Sequence, residues 1–150
     1  MDERTRVLIL GSFPGDESLR RKQYYANPRN QFWPVIGAVI AEDDFHYLPY
    51  EERLSKLLDH GIGLWDVYAS CERQGSLDSR IRSPVENDLA VLRTAPGLKL
   101  ICFNGKKSGS CSDIYRTEGY ATLVLPSTSP ANTIPFDDKF DAWKRIAKYL

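Results

Sequence analysis

The sequence predicts an α/β protein in which a parallel sheet is covered by helices on both faces. Three observations carry that expectation. Apolar runs such as Val7 to Leu10 and Ile62 to Val67 alternate with stretches whose apolar residues recur at helical spacing. Glycine and proline close the apolar runs, at Gly11 with Pro14 and Gly15 after the first of them. The segments of unusual composition all follow strands, and in such sheets ligands bind outside the carboxyl ends of the strands.

In chain order, Arg6 to Leu10 reads as the first strand and Gly11 to Asn30 as its long connection. A helix is expected from about Gln31 to Ala41, with Asn30 as N-cap and Pro34 in the first turn, where backbone N–H groups have no partner. Residues 42 to 49 read as polar and irregular. Leu54, Leu57 and Leu58 mark a helix from Tyr50 to His60, ended by Gly61. Ile62 to Val67 is the second strand, and Tyr68 to Pro84 a second long polar connection. Ser83-Pro84-Val85-Glu86 has the form of a capping box with proline at N1, which predicts a helix to about Thr94. Pro96-Gly97 turns into the third strand, Leu98 to Phe103, followed by a weaker helix near Ser110 to Arg116. Ala121 to Leu125 is the fourth strand. Phe136, Phe140, Trp143, Ile146, Ala147 and Leu150 form the apolar stripe of a closing helix. Every connection in this scheme is a right-handed crossover.

A chain of 150 residues fits a single domain with its own core. Hydrophobic content of 42% and charged content of 27% are those of a globular chain, and no apolar run approaches the roughly 20 residues of a membrane span. Met1-Asp-Glu-Arg leads into the first strand without a signal region, which predicts a cytoplasmic protein with no membrane association. Cys71, Cys102 and Cys111 match neither a disulfide framework nor a metal site. No cofactor or metal is expected. His46 and His60 read as surface residues.

Twenty basic and twenty acidic residues give zero net charge, so any nucleic-acid function rests on where the charges sit. The four post-strand loops gather Arg20, Arg21, Lys22, Arg29, Arg73, Arg80, Arg82, Lys106 and Lys107, a positive face with few acids. Tyr24, Tyr25, Phe32 and Trp33, interleaved with Asn27, Asn30 and these cations, suit a nucleobase and its phosphate. Pro126-Ser-Thr-Ser-Pro130 adds hydroxyls and backbone amides past the fourth strand.

GSFPG, YYANPRNQFW, GLWDV, FNGKK and LPSTSPAN together resemble the motif series of the uracil-DNA glycosylase superfamily, and most closely its hypoxanthine-DNA (deoxyinosine) glycosylase branch. The similarity runs from about Val7 to the closing helix. It implies a three-layer α/β/α sandwich with a four-stranded, mostly parallel central sheet, no metal, and hydrolysis of N-glycosidic bonds of damaged bases in DNA, hypoxanthine first. The implied partner is DNA containing a damaged base, and the expected state is a monomer.

Two positions depart from the better-known members. Phe13 stands where the uracil enzymes carry a water-activating Asp or Asn, and Leu125 where several carry a catalytic His or Asn. Similar sequences in the hypoxanthine branch place the catalytic amide in the segment matching NPRNQFW, which makes Asn30 the first choice and Asn27 the second; Asn30 as an N-cap is a compatible role. Tyr25 matches the base-stacking position, with Tyr24 or Phe13 as alternatives. Asp66 matches the position that reads the base edge, against the alternative of an ion pair with Arg73 or Arg80. Gly11, Ser12, Gly15, Lys106, Ser127 and Ser129 are the expected phosphate contacts. Uracil or mispaired thymine are alternative substrates of the same fold, and a binder without catalysis is a further alternative, favoured by Phe13 and Leu125.

Overall fold

The computed structural model describes residues 1–150. Strand β1 (Val7–Gly11) pairs in parallel with β2 (Ile62–Asp66) on one side and with β5 (Leu100–Asn104) on the other, and β6 (Thr122–Leu125) extends the sheet from β5. The order is therefore β2-β1-β5-β6, four parallel strands.

Both sheet faces are covered, and this is why the strands are continuously apolar rather than alternating. Val7, Ile9, Leu100 and Cys102 point into one core cluster, Leu8, Leu10, Ile101 and Phe103 into the other. Helices α2 (Phe32–Val39), α3 (Tyr50–Asp59) and α6 (Phe136–Trp143) pack on the first face through Phe32, Ile36, Leu57 and Trp143. On the second face lie the 3-10 helix Leu89–Thr94 and helices α4 (Lys106–Gly109) and α5 (Ser112–Thr117), contributing Leu92 and Tyr115. The result is the three-layer α/β/α sandwich. After β2 the chain returns to the far side of β1, so the strand order reverses between β1 and β5, and the crevice at their carboxyl ends is where such sheets receive ligands.

The main departure from the sequence expectations is at residues 68–94. Tyr68 to Pro84 is not an unstructured connection, and Ser83 does not start a helix: β3 (Tyr68–Glu72) and β4 (Arg82–Glu86) form an antiparallel hairpin pairing Tyr68 with Glu86 and Glu72 with Arg82. Not every connection is therefore a crossover. Ser83 has φ +46, no capping geometry, and the cross-strand ladder with β3 outweighs the local capping signal. The helical turn starts later, where the Asp88 side chain accepts from the Ala90 N–H at 2.9 Å.

Smaller departures follow the same pattern. The connection after β1 contains the short helix α1 (Asp16–Arg21). The third strand begins at Leu100 rather than Leu98, and the helix expected near Ser110 to Arg116 is α5, preceded by the additional short helix α4. The closing helix changes to 3-10 form over Lys144–Tyr149. Gly61, with φ +75, ends α3 in the left-handed conformation that only glycine adopts without cost.

Candidate active site

The carboxyl ends of the strands open onto one cleft of ≈ 1180 Å³. Every residue singled out from the sequence as a site residue lines it: Asn27, Asn30, Phe13, Tyr25, Asp66, Gly11, Ser12, Gly15, Lys106, Ser127 and Ser129. Loops far apart in the chain are thus brought together because the strands that precede them are neighbours.

The first turn is built around Asp66. Register pairs Gly11 with Asp66, and a Cβ at Gly11 would stand 2.5 Å from Asp66 Oδ1, so no larger residue leaves room for the carboxyl. Gly11 and Ser12 are buried, and the Ser12 hydroxyl donates to Asp78 Oδ1 at 2.6 Å rather than facing the cleft. The Asp66 carboxyl is not paired with Arg73 or Arg80. Instead Arg73, its side chain 3% exposed, donates to the Pro14 carbonyl at 2.6 Å, lies beside the Phe13 carbonyl and places its guanidinium 5.4 Å from the Phe13 ring. Arg73 therefore leaves the expected positive face and becomes an internal clamp on the first turn.

Burial, reinforced by the nearby Asp78 carboxylate, pushes the Asp66 pKa up to about 7. The carboxyl is thus poised between its two protonation states near neutrality. Burial and the Asp66 charge also hold the Tyr24 and Tyr25 hydroxyls well above their usual pKa, so both are neutral donors.

Tyr25 has φ +53, an uncommon conformation for an aromatic residue, and its ring stacks on Phe32 with centroids 3.9 Å apart and planes 20° from parallel. Phe32 is itself fully buried, so the platform beneath Tyr25 is rigid. Asn30 is not the N-cap expected of it, which is Gln31; one residue earlier, its Oδ1 accepts from the Phe32 N–H at 2.9 Å in an Asx turn that leads into α2. This bond fixes the amide orientation: the oxygen is occupied and the Nδ2 donors remain. Asn27 Oδ1 is likewise taken by the Arg29 N–H at 3.0 Å.

Residues outside the expected set of site residues hold these loops together. Asn104 and the fully buried Thr128 form a reciprocal pair: Asn104 Nδ2 donates to Thr128 Oγ1 at 2.8 Å, and the Thr128 N–H donates to Asn104 Oδ1 at 2.9 Å. The Thr128 carbonyl in turn accepts from the Gln31 N–H at 3.0 Å, which joins the loop of Ser127 and Ser129 to that of Asn30. Lys139 on α6 is 2% exposed and donates to Gln31 Oε1 at 2.6 Å and to the Asn132 carbonyl at 2.8 Å. Trp143 Nε1 donates to the Pro126 carbonyl at 3.0 Å. The apolar stripe of α6 pointed to a core helix, but nothing in it announced a lysine that ties two cleft loops.

A family model described as the Uracil DNA glycosylase superfamily matches residues 1–150. The chain belongs to this superfamily. A protein of Methanosarcina acetivorans named hypoxanthine DNA glycosylase is 43% identical over 150 residues, which cover 99% of this chain and 94% of the relative. One of Methanosarcina barkeri with the same name is 43% identical over 149 residues with the same coverage. A solution NMR structure of a Methanosarcina acetivorans protein described as a uracil DNA glycosylase superposes with a TM-score of 0.84 at 44% identity, covering 99% of this chain and 94% of that one.

As a member of the uracil DNA glycosylase superfamily, the chain has a cleft with an apolar side chain at two positions. Phe13 and Leu125 line it, and Leu125 is 2% exposed, so neither brings a polar atom to a water. The cations at the mouth are Arg82, Lys106 and Lys107. Arg20 and Arg21 are paired with Glu17 on α1. The positive rim of this glycosylase-family cleft is accordingly narrower than the sequence count of its loops implies. His60 sits beside Glu42 at 3.3 Å, away from the site. No helix is long and apolar enough to cross a membrane.

Proposed function

We propose that this protein is a monofunctional DNA glycosylase that hydrolyses the N-glycosidic bond of deaminated bases, hypoxanthine first, as a base-excision enzyme. The observation that carries the reading is the convergence of Tyr25, Asn30, Asp66 and Ser127 on one cleft large enough for a purine nucleotide. The names of the Methanosarcina relatives support the choice of base.

A base inside a duplex is out of reach, so the nucleotide rotates out at a cost of a few kcal/mol. Contacts of the flanking phosphates with Ser127, Ser129, Gly15, the backbone of Gly11 and Ser12, and Lys106 offset this cost. Stacking of the base on Tyr25, backed by Phe32, contributes about 1–3 kcal/mol. In its ionised form Asp66 accepts from N1–H of hypoxanthine. Adenine offers a bare acceptor at N1, and burying two unmatched lone pairs against each other disfavours it.

As the C1′–N9 bond breaks, the electron pair passes to the base and the sugar gains oxocarbenium character. Asn30, its amide oriented by the bond from the Phe32 N–H to its oxygen, has its Nδ2 donors left for the negative charge growing on the departing purine. An amide is no strong base, so water attacks a carbon already made electrophilic by bond cleavage, and the proton it sheds passes through solvent to the departed purine anion. Slow turnover and a preference for easily displaced bases follow. Asn27 is the second amide within reach.

Phe13 and Leu125 favour one competing reading, a binder that captures nucleotides without cleaving them. Protein in excess over duplexes containing deoxyinosine, deoxyuridine, deoxyxanthosine or a G·T mispair distinguishes the readings. Alkali-labile product from the inosine duplex is the expected result. Cleavage of the uridine or G·T duplex alone transfers the assignment to those bases, and binding without cleavage of any duplex refutes the enzyme.

A further inference from the structure

Helix α6 buries a lysine among neutral acceptors. Lys139 is 2% exposed, and its ammonium donates to Gln31 Oε1 at 2.6 Å and to the Asn132 carbonyl at 2.8 Å. Asp137, Asp138 and Asp141 lie on the same helix, yet no carboxylate of the protein pairs with it. Burial lowers the Lys139 pKa, and no neighbouring anion works against that effect. The lysines nearer the surface differ: Lys56 meets Glu42 at 2.9 Å, and Lys144 meets Asp141 at 2.6 Å.

Taking a charge out of water without pairing it is costly, and a neutral donor in this place would join the same two acceptors without that cost. The acceptors themselves show what the charge can serve. The Asn132 N–H donates to the Ser129 carbonyl at 2.9 Å and its Nδ2 to the Ser127 carbonyl at 2.8 Å, so the loop after β6 folds around Asn132. Gln31 follows Asn30 in the chain, and its N–H donates to the Thr128 carbonyl of that same loop at 3.0 Å. Asn132 lines the cleft and Lys139 does not. The ammonium therefore stands one hydrogen bond behind the wall that carries Ser127 and Ser129.

We propose that Lys139 is a positioning residue whose counter-ion is a backbone phosphate of the bound DNA strand, seated on the loop of Ser127 and Ser129. The ammonium attracts the phosphate through one layer of backbone and holds the loop that receives it in place. Binding of DNA completes an ion pair of which the protein supplies the buried half. This rests on the reading of the cleft as the receiver of a nucleotide from DNA.

The test is a cycle of substitutions in protein and DNA, which isolates the coupling between one side chain and one phosphate. The probe is a duplex with a tetrahydrofuran in place of one nucleoside, which cannot be cleaved. The phosphates on either side of that position are replaced one at a time by neutral methylphosphonates, and affinity for the full chain is read by anisotropy. In the parent protein, one of these replacements is expected to weaken binding by about tenfold. In Lys139→Met, and in Lys139→Gln, which keeps a neutral donor, the same replacement should cost no more than about twofold, and Lys139→Arg should restore most of the difference.

A tie that serves the fold alone weakens binding by the same factor whether the phosphate is charged or neutral, and that result overturns the assignment. Failure of both neutral variants to fold while Lys139→Arg folds overturns it as well, since the charge is then needed by the free protein. Coupling between Lys139 and a phosphate in a parent protein that releases no base from any duplex removes the glycosylase reading and leaves the role of Lys139 standing. Cleavage of deoxyinosine without the coupling does the reverse, and a parent protein that does not bind the probe refutes both.

Discussion

Asparagine in place of Asp66 should change how folding stability responds to pH. The folded carboxyl titrates at about 7, against 3.8 for the exposed group. An acid whose pKa is raised by folding holds its proton in the native state after the unfolded chain has lost it. Its contribution to stability is full below about pH 4, declines as pH rises, and is gone above about pH 7. At about 1.4 kcal/mol per unit, the gap between Asp66→Asn and the parent should move by about 2–3 kcal/mol in favour of the variant between pH 5 and pH 8. Water reaching the carboxyl through the cleft places the expectation toward the lower end of that range. Urea denaturation followed by tryptophan fluorescence at the two pH values measures it. Asp78→Asn, which keeps the acceptor for Ser12 but removes the neighbouring charge, should show a smaller shift of the same sign. Parallel pH profiles for the parent and Asp66→Asn would show that the carboxyl is solvated and that the cleft does not strain it.

Asn30→Ala should abolish base release while duplex affinity, read by anisotropy, stays within about twofold; loss of the Phe32 N–H acceptor should cost about 1 kcal/mol in denaturant. A parallel fall in affinity and cleavage would mark Asn30 as a turn residue alone. Asn104→Ala leaves the Thr128 N–H and hydroxyl buried without partners, and should destabilise by about 2–4 kcal/mol and depress base release together, since both cleft loops lose their link. Asn104→Asp, which keeps the acceptor for the Thr128 N–H, should recover part of the stability. Duplex affinity should fall steeply with salt in spite of the zero net charge, on the order of a hundredfold from 50 to 200 mM if about four phosphates are contacted. A flat dependence would refute the positive rim.

The four central strands, the α3 helix with its glycine stop and the closing apolar helix were all legible in the sequence, because each rests on local pattern: aliphatic runs, spacing of three and four, and glycine where a left-handed residue is needed. The gathering of the site at the strand ends was legible for a related reason. Parallel strands point the same way, so their following loops share an edge whatever the remaining detail. The hairpin was not legible. Ser83 to Glu86 carries a helix-start pattern, and only the presence of Tyr68 to Glu72 alongside makes a strand the better partner for that backbone.

Charge and chemistry divided in the same way. The sequence determined which residue types the cleft would contain, including Tyr25, Asn30, Asp66 and Ser127, because their loops follow adjacent strands. Only the tertiary structure decided what each group does there: that Arg73 turns inward to hold the Pro14 carbonyl, that Ser12 bonds Asp78, and that Asn104 joins Thr128. Proton affinity, hydrogen-bond partnership and exposure are properties of a group's surroundings. Those surroundings come from residues distant in the chain, as when Asp78 and the enclosing walls lift Asp66 toward neutrality.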